Sequence, residues 1–222
     1  MDIVTGRDVE SIDETRFLDA LIPYSTVLVD IGCGDGAFPY RLAGAQADLF
    51  CIGIDPNRES MAEYARRARR KPARGGRANV LYVVAAAESL PPELRRSAHL
   101  ITVNYPWAGL LQAIVTGDPL LGAALDHLAA GVCLTQILLN ADADVEGLPP
   151  LTPDTIAETI APVLADANFR LTDCDWLPPD RRPRSRWGGR LVRGSHRRTV
   201  ALRAERGDVP PASRSLLEGA FA

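Results

Sequence analysis

The stretch Val27-Leu28-Val29-Asp30-Ile31-Gly32-Cys33-Gly34-Asp35-Gly36 decides how this chain folds. Its first five residues, apolar but for Asp30, have the character of a strand buried on both faces. Three glycines then follow at alternate positions. Glycine at such a handover lets the backbone turn sharply and lets a ligand approach without meeting a Cβ. A helix is expected next, over Ala37 to Ala45. A second buried strand, Phe50-Cys51-Ile52-Gly53-Ile54, closes on Asp55-Pro56-Asn57. Asp55 thus falls beside the glycine loop, where a carboxylate accepts ribose hydroxyls, and the ligand is read as a nucleoside-containing cofactor.

The same alternation continues outward. Glu59 to Arg70 reads as a helix stopped by Pro72 and Gly75-Gly76. Val80–Val84 and His99–Val103 read as strands three and four, followed by a helix near 118–129 and a strand over Gly131–Leu139. Thr152 can cap a helix running to about Ala167, with Pro153 in its first turn. Strands near 169–176 and 196–204 would complete the sheet. The fold class expected is α/β: a doubly wound, mostly parallel seven-stranded sheet with helices on both faces, preceded by a small hairpin within Asp2–Glu10. A single domain is expected over 1–206, its core at 26–204, with 207–222 a peripheral or disordered tail.

Composition narrows the function classes. The 222 residues are 46% hydrophobic, enough for a substantial core. No basic start leads into a long apolar run, and nothing approaches the ~18 uninterrupted apolar residues of a membrane helix. A cytoplasmic protein with no membrane partner is expected, acting as a monomer. Cys33, Cys51, Cys133 and Cys174 are widely spaced without metal-ligand patterning, so no metal site is expected. The formal net charge of −3 conceals two basic segments. Residues 66–77 hold Arg66, Arg67, Arg69, Arg70, Lys71, Arg74 and Arg77, and residues 181–198 hold eight arginines. Neither segment contains an acid, and such local patches are what a phosphate backbone meets.

The glycine loop satisfies the dinucleotide pattern G-x-G-x-x-G/A, a weak signal by itself. Asp30 and Asp35 flank it. They would repel a pyrophosphate but suit the sulfonium and ammonium of S-adenosylmethionine. Asp-x-Gly-x-Gly with an acid closing the second strand resembles class I methyltransferases. Glu88, after strand three, is placed for the adenine edge of that cofactor, and Leu90 for its face. An NAD-dependent oxidoreductase is the competing reading. It is disfavoured by the two acids and by His99, His127 and His196 all lying outside the motifs.

Strand four ends in Asn104-Tyr105-Pro106-Trp107, at the carboxyl end of the sheet where reactive residues collect. Trp107 offers a π-face for a nucleobase. Trp187, isolated among charge and glycine in Arg184-Ser185-Arg186-Trp187-Gly188-Gly189-Arg190, offers a second. Two such rings flanking one pocket could sandwich a base drawn out of a helix. Trp176 is assigned to the core.

Arg70-Lys71-Pro72-Ala73-Arg74-Gly75-Gly76, Ala86-Ala87-Glu88-Ser89-Leu90-Pro91, Pro106-Trp107 with Leu110-Leu111, and Ser185-x-Trp187-x-x-Arg190-Leu191 together resemble one family. It is the aminoglycoside-resistance methyltransferases (Kam/Npm type) that modify N1 of adenine 1408 in 16S rRNA. The resemblance implies a cofactor pocket lined by Asp30, Gly32, Gly34, Asp55, Ala87, Glu88 and Leu90. It implies an adenine held between Trp107 and Trp187 in a pocket shaped by Pro106 and Ser185. It implies a grip on the 30S subunit's rRNA by Arg66, Arg67, Arg70, Lys71, Arg190 and Arg197. Two positions depart from the family's pattern. Asn104 stands where an apolar residue is usual, and Ala108-Gly109 where Gly-Ser or Gly-Thr is. Asn104 keeps open methylation of another RNA adenine or of an exocyclic amine.

Overall fold

The structure, a computed structural model, describes residues 1–142, 150–178, 181 and 198–220. The expectations for Ser185, Trp187, Arg190 and Arg197 fall outside those residues. Chain order is β1 (Asp2–Val4), β2 (Val9–Ser11), α1 (Glu14–Leu21), β3 (Thr26–Ile31), α2 (Ala37–Ala45), β4 (Leu49–Asp55), α3 (Arg58–Ala68), β5 (Val80–Val84) and β6 (Ala98–Asn104). Then come α4 (Ala108–Thr116), α5 (Leu120–Leu128), β7 (Ala129–Asn140), α6 (Pro153–Asp166), β8 (Arg170–Trp176), β9 (Thr199–Arg206) and α7 (Pro211–Ala220).

The strands form one sheet in the order β2-β1-β5-β4-β3-β6-β7-β9-β8. This corrects the expectation of a mostly parallel seven-stranded sheet. Only the centre, β5-β4-β3-β6-β7, is parallel, and both flanks are antiparallel. The reason lies in the connections. A parallel neighbour needs a crossover of a dozen or more residues, usually a helix. The short turn after β1 supplies none, so the hairpin folds flat and adds to the edge through Ile3 opposite Val83. At the other flank β9 inserts between β7 and β8, antiparallel to each.

Two apolar layers sandwich this sheet, set by the period-2 alternation of its strands. Val27, Val29 and Ile31 of β3, with Phe50, Ile52 and Ile54 of β4, face Phe17 of α1 and the buried sides of α4, α5 and α6. Leu28, Leu49 and Cys51 face the other way, onto Phe38 and Leu42 of α2, Met61 and Ala65 of α3, and Leu217 of α7. The helix starts follow local chemistry. Thr152 forms a capping box with Thr155, and the Asn57 side chain accepts from the N–H groups of Glu59 and Ser60.

Two local readings change and one helix is added. The helix expected near 118–129 is α5, and α4 precedes it unread, the two meeting at 103° across a left-handed Gly117. The tail is not loose where it is described: α7 buries Leu217 completely, and Arg214 pairs with Glu205 at 2.7 Å. Trp176 is half-buried against the core, with the Arg198 guanidinium 4.3 Å from its ring centre. Cys33, Cys51 and Cys133 are buried free thiols, and Cys174 is half-buried. Among the described residues no single helix is long and apolar enough to cross a membrane.

Candidate active site

The carboxyl ends of β3, β4, β5 and β6 open onto a cavity of about 410 Å³, within the roughly 300–1,000 Å³ of small-molecule sites. Asp30, Gly32, Gly34, Asp55, Ala87, Glu88, Pro106 and Trp107 all line it. Leu90 does not; it is half-buried against the core instead. Phe38, Leu110 and Tyr105 also line the cavity and were not read from sequence as site residues. Phe38 carries no motif signal, since it reads as an ordinary apolar helix position; Leu110 stands in the Pro106-Trp107 and Leu110-Leu111 motif, which gave it no role of its own.

The glycine loop is built as its sequence requires. Gly32, Gly34 and Gly36 all have positive φ. A Cβ at Gly34 would meet nothing within 4 Å, so the backbone there faces open space. At Gly36 the constraint is packing: a Cβ would lie 2.4 Å from the Tyr82 ring, and the Tyr82 hydroxyl donates to the Gly36 carbonyl at 2.8 Å. Tyr82 is fully buried and cannot step aside. Gly36→Ala is therefore expected to lower stability by about 3 kcal/mol or more, from overpacking and left-handed strain together. Urea denaturation checks this, and a loss under ~1 kcal/mol would show that the loop relaxes instead.

Each acid has a distinct environment. Asp55 accepts the Gly34 N–H at 2.9 Å on one oxygen and the Asn57 N–H at 2.8 Å on the other, locking the loop of β3 to the end of β4. Lone pairs remain on both oxygens for ribose hydroxyls. Asp35 accepts from the Ala37 N–H at 3.0 Å, at the start of α2. Asp30 is 1% exposed. One of its oxygens accepts from the Thr102 hydroxyl at 2.7 Å and the Asn104 amide at 2.9 Å. Burial pushes its carboxyl up to about 7, against those two hydrogen bonds and with the Asp55 charge adding to the rise. Burial also pushes the Cys33 thiol up, so it stays protonated and is no nucleophile.

At the cavity mouth Trp107 is 65% exposed. The turn that presents it is strained: Tyr105 and Ala108 sit at φ of 53° and 45°, conformations costing non-glycine residues about 1 kcal/mol or more. Tyr105 is buried, its N–H donating to the Leu138 carbonyl at 2.9 Å and its hydroxyl 3.3 Å from that of Thr199. These anchors hold the turn. His99 and His127 lie elsewhere, bonded to Val27 and Pro91, so neither supplies a proton-transfer group here.

The first basic segment is separate from the cavity. α3 begins beside Asp55 and runs back along the sheet for 11 residues, so Arg66 lies about 12 Å from its start along the helix axis and the helix end at Ala68 about 15 Å. Arg66, Arg70, Lys71 and Arg74 are exposed and carry no ion pair among the described residues. Arg67 pairs with Glu63 at 2.6 Å and Arg69 with Glu10 at 3.5 Å. The turn is rigid because the Lys71 carbonyl accepts from the Arg74 and Gly76 N–H groups. A Cβ at Gly76 would fall 1.7 Å from the Arg70 carbonyl oxygen, which is why glycine stands there.

Comparison with known proteins gives a consistent result. The family described as NpmA, 16S rRNA (adenine(1408)-N(1))-methyltransferase, matches residues 2–206. The 16S rRNA (adenine(1408)-N(1))-methyltransferase of Escherichia coli is 30% identical over 205 residues, covering 88% of this chain and 94% of the relative. That of Streptoalloteichus tenebrarius is 30% identical over 183 residues, covering 80% and 84%. Among solved structures, a tryptophan-to-alanine variant of the enzyme from Catenulisporales acidiphilia with cosubstrate SAM superposes with a TM-score of 0.85 at 29% identity, covering 94% of this chain and 97% of that one. The antibiotic-resistance methyltransferase Kmr superposes with a TM-score of 0.80 at 37% identity, covering 93% and 98%.

Proposed function

Because the chain belongs to the 16S rRNA (adenine(1408)-N(1))-methyltransferase family, we propose that it methylates N1 of adenine 1408 in 16S rRNA of the 30S subunit and so confers aminoglycoside resistance. The observation that carries the reading is the pairing of an acid-lined nucleoside cavity with an exposed tryptophan at its mouth. The protein acts as a monomer in the cytoplasm, where 30S subunits are found.

S-adenosylmethionine supplies the methyl group, carried on a sulfonium. The cavity fits it: Asp55 takes the ribose hydroxyls, Glu88 and Ala87 the adenine end, Gly32 and Gly34 the close backbone approach, and Asp30 the cationic amino-acid arm. Adenine N1 is unprotonated at neutral pH and attacks with its own lone pair. No general base is required. The chain's work is positioning, which supplies several kcal/mol of the barrier. Trp107 stacks on the flipped adenine from the cavity side and Trp187 from the other, with Pro106 and Ser185 shaping the slot. The product ring gains positive charge, which two π-faces tolerate.

The separation between cavity and basic cluster suits a large folded RNA. Arg66, Arg67, Arg70 and Lys71, joined by Arg190 and Arg197, hold phosphates while the base reaches the pocket a helix length away. Duplex RNA hides its base edges, so docking is by shape and charge. Methyl transfer from labelled cofactor to purified 30S subunits, followed by primer extension, tests this. A new stop at adenine 1408 is expected; incorporation without that stop assigns another nucleotide or atom.

The Asp30 environment gives a further expected result. The amino-acid arm needs the carboxylate, whereas the free protein holds the neutral acid below about pH 7. Binding therefore takes a proton off Asp30 below that pH. Affinity for S-adenosylhomocysteine, which keeps the ammonium, should rise up to about tenfold per pH unit below 7 and level above it. In the cofactor-free protein the sign is opposite. A carboxyl whose folded value lies above its unfolded one favours folding when protonated, so stability falls as pH rises from about 4 to 7. Calorimetry on Asp30→Asn should find both slopes gone. Unchanged slopes would take Asp30 out of the cofactor site.

A further inference from the structure

We propose that Asn104 is a cofactor-positioning residue in this chain, holding the Asp30 carboxylate ionised and oriented for the cationic amino-acid arm. The inference rests on the S-adenosylmethionine reading of the cavity and concerns a residue that reading leaves without a task. The sheet register creates the arrangement. Asp30 of β3 lies directly opposite Thr102 of β6. Alternation then returns Asn104, two residues on, to the same face. Both side chains reach the same oxygen of Asp30, at 2.7 and 2.9 Å.

Against an ionised Asp30 the Asn104 amide has one favourable orientation. Turned over, its carbonyl oxygen would face the carboxylate oxygen and repel it. Turned as it is, the amide donates to Asp30, and its own buried oxygen has no partner. A buried acceptor left unsatisfied costs free energy, and a hydrogen bond to a charged group is among the few interactions that offset it. So the side chain is arranged for the carboxylate at its own expense. An apolar residue of similar size would leave no such orphan.

The groups that face Asp30 give this hydrogen bond its consequence. Asp55 on β4 opposes its ionisation, and no arginine, lysine or histidine among the described residues assists it. Cys33 in the loop and Cys51 on β4 feel its charge, but both thiols are pushed up by burial and stay neutral. Asp35, in the same loop, bears on the Cys33 thiol and not on Asp30. In the free protein, only the Thr102 hydroxyl and the Asn104 amide among the described residues oppose burial on the ionised side. Remove one, and the carboxyl is neutral at physiological pH, where the arm must then displace its proton.

The test is Asn104→Leu, with Thr102→Val as a second variant, read in two ways. Carbon-13 NMR of the Asp30 carboxyl in cofactor-free protein should find its titration at higher pH in both variants. Calorimetry should find S-adenosylhomocysteine bound about tenfold more weakly at pH 7, with the deficit shrinking towards pH 9. Asn104→Leu should melt no lower than the parent, since it removes the orphaned oxygen. An unmoved Asp30 titration would overturn the proposal. So would an affinity deficit equal at both pH values, which is what poorer packing alone produces. If the parent itself binds neither S-adenosylmethionine nor S-adenosylhomocysteine, the cofactor reading fails, and the NMR titration still decides whether Asn104 governs Asp30.

Discussion

Replacing Trp107 by alanine is expected to cut methylation of 30S subunits by roughly 10–100-fold, because stacking on one aromatic face contributes about 1–3 kcal/mol per base. Affinity for S-adenosylmethionine should stay within about twofold, and the melting temperature should hold, since at 65% exposure the ring contributes little to the core. Trp107→Phe keeps a π-face and should recover part of the loss. Pairing Trp107→Ala with Trp187→Ala should bring turnover to background, because a flipped base held by neither ring returns to its helix. The distinction to look for is between kcat and cofactor affinity. A variant that loses both has a collapsed turn, whereas one that loses only turnover has lost its platform. Should Trp107→Ala methylate as fast as the parent, the base is held elsewhere.

The second large effect concerns docking. Neutralising Arg66, Arg67, Arg70 and Lys71 together should weaken 30S binding by about 10²–10³-fold at low salt. It should also flatten the salt dependence by about 2–3 units of slope, near 0.7–0.9 for each phosphate that is no longer neutralised. The reduction should fall short of four full phosphates, because Arg67 already pairs with Glu63 and lies 5.0 Å over the Tyr64 ring. Arg69→Gln is the internal comparison: its charge is taken up by Glu10, so its effect should be small. Turnover at saturating 30S should change little. A salt slope identical to the parent's would show that these side chains meet solvent and not RNA.

What could be read in the sequence divides along physical lines. The glycine loop, Asp55 and the buried strands around them are local signals, and β3, α2, β4 and β5 fall within a residue or two of their expected bounds. Where structure depends on partners far along the chain, sequence is mute. That β9 inserts between β7 and β8 follows from pairings no local pattern encodes. α5 falls where a helix was expected, whereas α4 went unread: it starts after Trp107 with no side-chain cap to signal it. The site divides likewise. Asp30 and Trp107 were legible by type and position. The strain at Tyr105 and Ala108 and the amide of Asn104 turned onto Asp30 were not, since both arise from interactions across strands. Leu90 shows the converse: its motif was legible, but its side chain belongs to the core and not the cavity.

The β8–β9 pairing has an evolutionary consequence. In sequence the second arginine-rich segment lies between the end of β8 at Trp176 and the start of β9 at Thr199, and Trp176 lies opposite Val200 in register. Arg198 closes the circuit, with its guanidinium over the Trp176 ring and its carbonyl accepting the Ala141 N–H at 3.0 Å. The two ends of the segment are thus fastened to each other independently of what lies between them. Between ends so fastened, doubling the number of intervening residues costs only about 0.6 kcal/mol of closure entropy. Selection can lengthen, shorten or recharge that segment to suit a different RNA surface while the sheet, the cofactor cavity and their stability stay nearly constant.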